Sequence, residues 1–330
     1  MKKILIFVII LLVAIIGALS FLPNYLSEAT NKDIISIVVP RGANLSTVAE
    51  DLYENGVIRS RLWFRYMGQD IAMNIKPGEY EIEAGLEIDD IYEIIQRGEQ
   101  EEQFEITFPE GYILYQFAQR IEEAGLGTAE EFIEASNEYF NSKGYTFDTS
   151  NLYFNLEGYL FPDTYYFTKN QSMDQIVSKL ASTMEKVFTD EYKARAEELG
   201  LDLHEVLTLA SLIEREAYND SERAAISGVI YNRLEIDMIL QIDATVIYGL
   251  GEGKEHMSRV LYADLEEDNP YNTYIYPGLP PGPIASPGRK SIEAALYPED
   301  HDYFYYVMGD DGHVFSKTYD EHRRNISKYR

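Results

Sequence analysis

Glu216 is the side chain in this sequence whose setting best suits proton transfer. It lies in the stretch from Val206 to Gly249, VLTLASLIEREAYNDSERAAISGVIYNRLEIDMILQIDATVIYG, where apolar, acidic and amide residues interleave most densely. Val206, Leu209, Ala210, Ile213 and Ala217 recur at three- and four-residue spacing, which predicts a helix from His204 to Ala217 with an apolar stripe. Glu216 falls on the edge of that stripe, whereas Glu214 lies farther round. A carboxyl against apolar side chains loses hydration in its charged form, so its pKa rises and it can donate a proton near neutral pH. A solvated or salt-bridged helix glutamate would carry the same sequence signature.

A second polar set follows. In Leu240-Gln241-Ile242-Asp243-Ala244-Thr245-Val246, polar positions alternate with bulky ones, which predicts an extended segment with Gln241, Asp243 and Thr245 on one face. Glu216 as acid with Asp243 as nucleophile or base would fit the two-carboxylate pattern of glycoside cleavage; a turn or cap role for Asp243 fits the spacing equally well. The amides and phenols of Tyr231-Asn232-Arg233 and Tyr271-Asn272-Thr273-Tyr274 add hydrogen-bonding groups on either side.

These groups need elements to hold them. Ser221 to Leu234 reads as a second helix, and Gly278-Leu279-Pro280-Pro281-Gly282-Pro283-Ile284-Ala285-Ser286-Pro287-Gly288 as a rigid extended loop whose glycines permit close backbone approach. Ser291 to Leu296 reads as a short helix, and Tyr303 to Met308 with His313 to Phe315 as a hairpin belonging to the scaffold. Upstream, Gly158-Tyr159-Leu160-Phe161-Pro162-Asp163-Thr164-Tyr165-Tyr166-Phe167 favours an extended stretch and turn, suited either to a groove wall or to a buried strand. From Thr128 to Gly200 the pattern is mainly helical, with Asp174 to Val187 clearly amphipathic. An internal repeat precedes it: VVPRGANLSTVAEDLYENGV (Val38 to Val57) aligns with TFPEGYILYQFAQRIEEAGL (Thr107 to Leu126), each a strand, a Pro-x-Gly turn and an amphipathic helix closed by glycine. Adding a strand at Gly78 to Ile82 and a helix at Ile88 to Gly98 predicts a compact βααβ module over residues 35–99, with a larger mixed α+β domain over residues 104–330.

Composition narrows the chemistry. The 330 residues contain no cysteine, which removes disulfides, thiolate metal sites and a cysteine nucleophile; the five histidines lack metal-ligand spacing. With 56 acidic against 28 basic residues, the chain would be repelled by nucleic acid and by anionic polymers, so binding must come from a shaped groove. Its 27 tyrosines suit the stacking of sugar rings and are equally at home in cores. Ile4 to Leu22 is uncharged and long enough to cross a bilayer, with Lys2 and Lys3 before it and acids after it. That pattern predicts a cytoplasmic tail at residues 1–3, an anchor at residues 4–22 and the bulk outside; a cleaved signal peptide would instead use Ala18-Leu19-Ser20.

Together the segments GYLFPDTYYF, ASLIEREA, YNRL, LQIDATVIYG, YNTY and GLPPGPIASPG resemble, in order and approximate spacing, the endolytic murein transglycosylases of the MltG or YceG-like family. The resemblance implies a LysM-like module matching the βααβ pattern and no cofactor. It implies an essential glutamate at the second acid of Glu-x-Glu, which is Glu216. The family's Gln-x-Asp-Pro-Thr is Gln241-Ile242-Asp243-Ala244-Thr245 here, with Ala244 in place of proline. The function expected from the resemblance is non-hydrolytic cleavage of MurNAc-GlcNAc bonds in nascent glycan strands, leaving 1,6-anhydroMurNAc ends, at the cell membrane and close to peptidoglycan synthases. Gln241, Asp243, Thr245, Asn232, Tyr271 and Asn272 are then candidates for orienting the sugar. A hydrolytic muramidase using Glu216 with Asp243, or a wall-binding scaffold without catalysis, are the alternatives.

Overall fold

The computed structural model describes residues 21–71, 74–98, 103–254 and 260–330. The expected anchor at Ile4 to Leu22 therefore lies outside the described residues except for its last two. Among the described residues no helix is long and apolar enough to cross a membrane. The chain divides between Glu101 and Glu102 into two compact units, each with its own apolar core.

In the first unit, β1 (Ile35–Val39) pairs antiparallel with β2 (Gly78–Ile82), Ile35 opposite Ile82. Between them run α1 (Leu45–Glu54), α2 (Arg61–Met67) and a short 3-10 turn, and α3 (Ile88–Arg97) follows, so the second helix between the strands is α2, which the sequence pattern did not mark, and the helix expected at Ile88 to Gly98 lies after β2. The boundaries follow from side-chain capping. Asn44 accepts from the Ser46 and Thr47 N–H groups at the start of α1, and Ser60 accepts from Trp63 at the start of α2. The apolar faces Val48, Leu52, Phe64, Ile91 and Ile95 meet under the strands and exclude water.

The second unit opens with β3 (Gln103–Thr107), which pairs antiparallel with β4 (Thr164–Thr168), so the aromatic segment is a turn running into a strand. Helices α4 (Leu114–Glu123) and α5 (Ala129–Lys143) lie between these strands in sequence. The internal repeat is structural: β1 and α1 have the same strand, turn and helix form as β3 and α4. The turn glycines Gly42 and Gly111 take φ of 80° and 78°, a left-handed conformation that side chains resist. Next come α6 (Met173–Val187), α7 (Asp190–Leu199), α8 (Leu203–Glu216), α9 (Arg223–Glu235), α10 (Asp243–Leu250) and α11 (Arg289–Leu296). The hairpin β5 (Tyr305–Met308) and β6 (His313–Ser316) and a last helix α12 (Tyr319–Tyr329) complete the unit, which makes the chain mixed α+β.

Two differences from the sequence reading concern the site. First, α8 is not a one-stripe helix: Val206 through Ile213 are all buried. Its interior hydroxyls are satisfied locally, Thr208 donating to the His204 carbonyl at 2.7 Å and Ser211 to that of Thr208 at 2.7 Å. Second, the segment expected to be extended around Asp243 is the first turn of α10. Residues two apart on a helix point about 200° apart, so Asp243 and Thr245 cannot share a face.

The proline-rich loop lies along α8 and is tied to it three times. His204 Nε2 donates to the Pro281 carbonyl at 2.8 Å, the Ile284 N–H donates to Ser211 Oγ at 3.0 Å, and the Gly288 N–H donates to Glu214 Oε2 at 3.0 Å. Since a carbonyl only accepts, His204 carries its proton on Nε2, and Tyr159 Oη, 3.1 Å away, donates to Nδ1. Burial holds His204 below the usual histidine range, in keeping with a neutral ring. Gly158 lets the aromatic segment meet this loop: its φ is 79°, and an added Cβ would sit 2.4 Å from Pro283 Cβ. Gly158→Ala should therefore cost the second unit at least about 2 kcal/mol, from left-handed strain plus overlap. Near-UV circular dichroism of urea unfolding is the measurement, since the sole tryptophan, Trp63, is in the other unit. An unchanged midpoint would contradict the close packing.

Candidate active site

Glu216 ends α8, and its side chain forms the wall of a cleft of about 400 Å³ shared with Arg233, Gln241, Asp243, Tyr274, Tyr306, His313 and residues of α12. That volume is in the range of ligand sites. A larger depression of about 810 Å³ lies between α7, α9 and α11. There Asp220 pairs with both Lys290 and Arg223, and Tyr192 Oη donates to Glu293 at 2.6 Å.

Burial raises the Glu216 carboxyl above the ordinary glutamate range, opposed by a hydrogen bond from Tyr306; Asp243 raises it further, and His313 and Arg233 lower it. Tyr306 Oη donates to Glu216 Oε2 at 2.8 Å. Burial also lifts the Tyr306 phenol well above its usual value, with Glu216 adding to the effect, so Tyr306 remains a donor. The residue as a whole keeps some exposed surface, as expected of a wall of an open cleft whose carboxyl is ringed by protein.

Glu214, on the same helical turn, has the opposite fate. Its side chain is 7% exposed and its carboxylate pairs with Arg223 Nη1 at 3.1 Å. It also accepts from the Gly288 N–H and from Ser291 Oγ at 2.8 Å. Thus one acid locks α8 to α9, to the proline-rich loop and to α11, and the other faces the cleft.

The predicted sugar-orienting residues separate into two groups. Gln241 and Asp243 line the cleft with Glu216. Gln241 is held at φ 50°, with its N–H donating to the Thr273 carbonyl at 3.0 Å. Asp243 accepts from Tyr274 Oη at 2.5 Å. The other four belong to the scaffold. Thr245 is fully buried and bonds the Ile242 carbonyl and Thr273 Oγ1, because the helix turns it inward. Asn232 donates to the His301 and Tyr303 carbonyls at 2.8 and 2.9 Å, and so spends its amide on the irregular segment leading to β5. Tyr271 is 1% exposed and stacks on Tyr153 at 5.5 Å, as a core ring does. Asn272 donates to the Leu265 and Glu267 carbonyls and accepts from the Tyr274 N–H, so it shapes the loop carrying Tyr274.

The cleft also contains residues that the sequence reading did not single out. Arg233 points its guanidinium at the carbonyls of Phe304 and Leu240, both at 2.6 Å, and lies over the Tyr305 ring. The hairpin read as scaffold contributes Tyr306 and His313, and α12, for which no expectation was formed, contributes Tyr319 and His322. The neighbouring motifs YNRL and YNTY could have pointed to Arg233 and Tyr274. For Tyr306 and His313 there is no local signal, because strand pairing in the hairpin brings them to the cleft. No group of acidic residues and histidines able to hold a metal ion occurs among the described residues.

A model of the YceG-like family matches residues 37–328. The chain is 36% identical to the endolytic murein transglycosylase of Bacillus subtilis, over 92% of this chain and 86% of that one. It is 28% identical to the endolytic murein transglycosylase of Streptococcus pneumoniae D39, over 92% of this chain but 59% of the pneumococcal protein. A crystal structure of a YceG-like protein from Listeria monocytogenes, 35% identical, superposes with a TM-score of 0.62, covering 89% of this chain and 99% of that one.

The division of labour between the two glutamates has a measurable consequence. Glu214→Ala should lose about 1–3 kcal/mol of stability, because the buried Gly288 N–H and Ser291 hydroxyl lose their acceptor and Arg223 is left with Asp220 as its counter-charge. Glu216→Gln should lose none, since it removes a desolvated carboxyl and keeps its shape. Thermal unfolding of both variants decides the point; equal melting temperatures would show that Glu214 carries no such load.

Proposed function

The chain belongs to the YceG-like family, and from that premise we propose that it is an endolytic lytic transglycosylase of peptidoglycan in which Glu216 is the proton shuttle. The observation that carries this reading is the desolvated Glu216 carboxyl in a cleft with polar groups converging on it. Protonated Glu216 would donate to the glycosidic oxygen between N-acetylmuramic acid and N-acetylglucosamine as that bond breaks and positive charge develops at C1. The carboxylate left behind would take the proton of the muramic C6 hydroxyl, whose oxygen closes onto C1 and leaves a 1,6-anhydro end. Because the nucleophile belongs to the substrate, neither a second carboxylate nor an activated water is needed. Gln241 and Asp243, the latter with Tyr274, would orient the sugar in the same cleft.

One observation favours a second reading. Asp243 shares the cleft with Glu216, so a hydrolase using both would release reducing ends; a wall-binding scaffold would leave strands intact. In the same proposal residues 4–22 anchor the chain in the cell membrane with the catalytic unit outside, near peptidoglycan synthases. The first unit acts as a LysM-like glycan-binding module, supported by its strand, helix, helix, strand order and by a depression of about 430 Å³ lined by Asn44, Leu62, Tyr66 and Gln69.

Purified full-length protein incubated with uncrosslinked glycan strands, with products read by mass spectrometry, distinguishes anhydro ends, reducing ends and no cleavage. Glu216→Gln should cut turnover by a factor of about 100 or more, as expected when general acid and base are lost together. Wild-type turnover in that variant would remove Glu216 from the mechanism, and a covalent glycosyl adduct on Asp243 would favour the hydrolase. Since the raised Glu216 must be protonated to act first, kcat/KM should fall as pH rises through its pKa, above the ordinary carboxylate range. For the anchor, mass measurement of the cellular protein should find residues 4–22 retained; a mature chain starting near Phe21 would refute it.

A further inference from the structure

The hairpin of β5 and β6 carries more than a cleft wall. In its register Tyr306 stands opposite Phe315 and Met308 opposite His313, which puts Tyr306, Met308 and His313 on one face. The Tyr306 and His313 rings meet edge to face, centroids 5.1 Å apart. His313 is in turn fixed by Glu222, which accepts from its backbone N–H at 2.9 Å and from its Nδ1 at 3.1 Å. The same Glu222 carboxylate accepts from the Tyr218 N–H at 2.5 Å and the Asn219 N–H at 3.2 Å, the second and third residues after Glu216. Burial works to raise Glu222, but the His313 backbone and ring and the Tyr218 N–H outweigh it, and the carboxyl stays below its usual range. One anionic side chain therefore staples the hairpin to the end of α8, fixing both the donor and the acceptor of the Tyr306 to Glu216 bond.

We propose that Tyr306 is a positioning residue, whose phenol holds Oε2 of Glu216 and so makes Oε1 the oxygen that exchanges a proton with substrate. The inference rests on the reading of Glu216 as the proton shuttle. A carboxyl rotates freely about its last bond, and either oxygen can carry the proton. A phenol donating to Oε2 directs the carboxyl's own proton to Oε1 and sets the plane in which it is delivered. When the proton has left, the same phenol donates to a carboxylate, a stronger bond, and so favours the state formed at the transition state over the resting acid. Neither effect requires Tyr306 to touch substrate.

Tyr306→Phe removes one oxygen and keeps the ring against His313. Its kcat should fall by about 10- to 100-fold, the range for a hydrogen bond to a charged group, with KM changed by less than about twofold. The alkaline limb of the pH profile should move to higher pH by about one unit, because the lost donor stabilised the charged form. Asp243 from α10, His313 from β6, Arg233 from α9, Arg215 on α8 and Tyr274 also face Glu216 and stay in place, so the shift isolates the phenol. The Glu216 carboxyl can be titrated directly by carbon-13 NMR in the full-length protein, assigned by its loss in Glu216→Gln, without reference to activity. Fluorotyrosine at position 306, a stronger donor in an intact ring, should move the titration the opposite way, to lower pH. A Glu216 titration that neither substitution moves overturns the proposal, as does a fall in kcat with an unmoved alkaline limb. If instead no glycan is cleaved by the wild type while the titration moves as stated, the positioning stands and the reading of the reaction fails.

Discussion

The site depends on the buried pair of Glu214 and Arg223. Two opposite charges this far from water hold together only with close geometry and with their remaining hydrogen-bonding capacity met. Here the Gly288 N–H and Ser291 hydroxyl complete Glu214, while Asp220 and Ser291 complete Arg223. The partners come from α8, α9, the end of the proline-rich loop and α11, so satisfying this pair sets the mutual placement of four segments. Hydrophobic burial of α8 supplies the driving force but is non-directional. The ion pair, with the His204 and Ser211 contacts to the loop, specifies which side of the helix meets the loop.

That choice decides where Glu216 points. With Glu214 committed to the loop, a residue two positions on must project from a different side of the helix. The helix ends there, and the cleft begins. The two acids of one short motif thus receive opposite electrostatic environments. Glu214 is buried beside a cation and stays part of the framework; Glu216 is buried beside a phenol and near a second carboxylate, where its neutral form gains.

The cleft is assembled from distant parts of the chain. The end of α8, the first turn of α10, the loop shaped by Asn272, the hairpin and α12 each contribute one wall. Rigidity is supplied behind each wall: Arg233 gathers the carbonyls of Phe304 and Leu240, Asn232 those of His301 and Tyr303, and Thr273 holds the backbone of Gln241 and Ile242. Several polar residues of the sequence motifs are therefore the supports of the site and not its contact surface, as a site that must hold a proton donor within a few tenths of an ångström requires.

Much of this was legible in the sequence. The helix carrying Glu216, the strand and helix of the repeat, the stiff loop and the final hairpin follow from local periodicity and from proline and glycine, because those signals act over a few residues. The apolar stripe of the Glu216 helix did not decide which acid faces the cleft, because Val206 through Ile213 are buried all round and Glu214 is buried as well; the walls around Glu216 come from other segments. What sequence could not decide is the direction of polar side chains in short segments. Alternation around Asp243 reads as a strand, but the Thr273 contacts and the burial of Thr245 wind it into a helix, and propensity yields to tertiary packing. Asn232 and Asn272 look like free amides in one dimension and are consumed by backbone carbonyls in three. Tyr306 lies 90 residues from Glu216, and nothing local marks it. Only the pairing of β5 with β6, and the Glu222 staple between hairpin and helix, brings its hydroxyl onto the carboxyl, because a hydrogen bond is fixed by distance and angle, which a sequence does not contain.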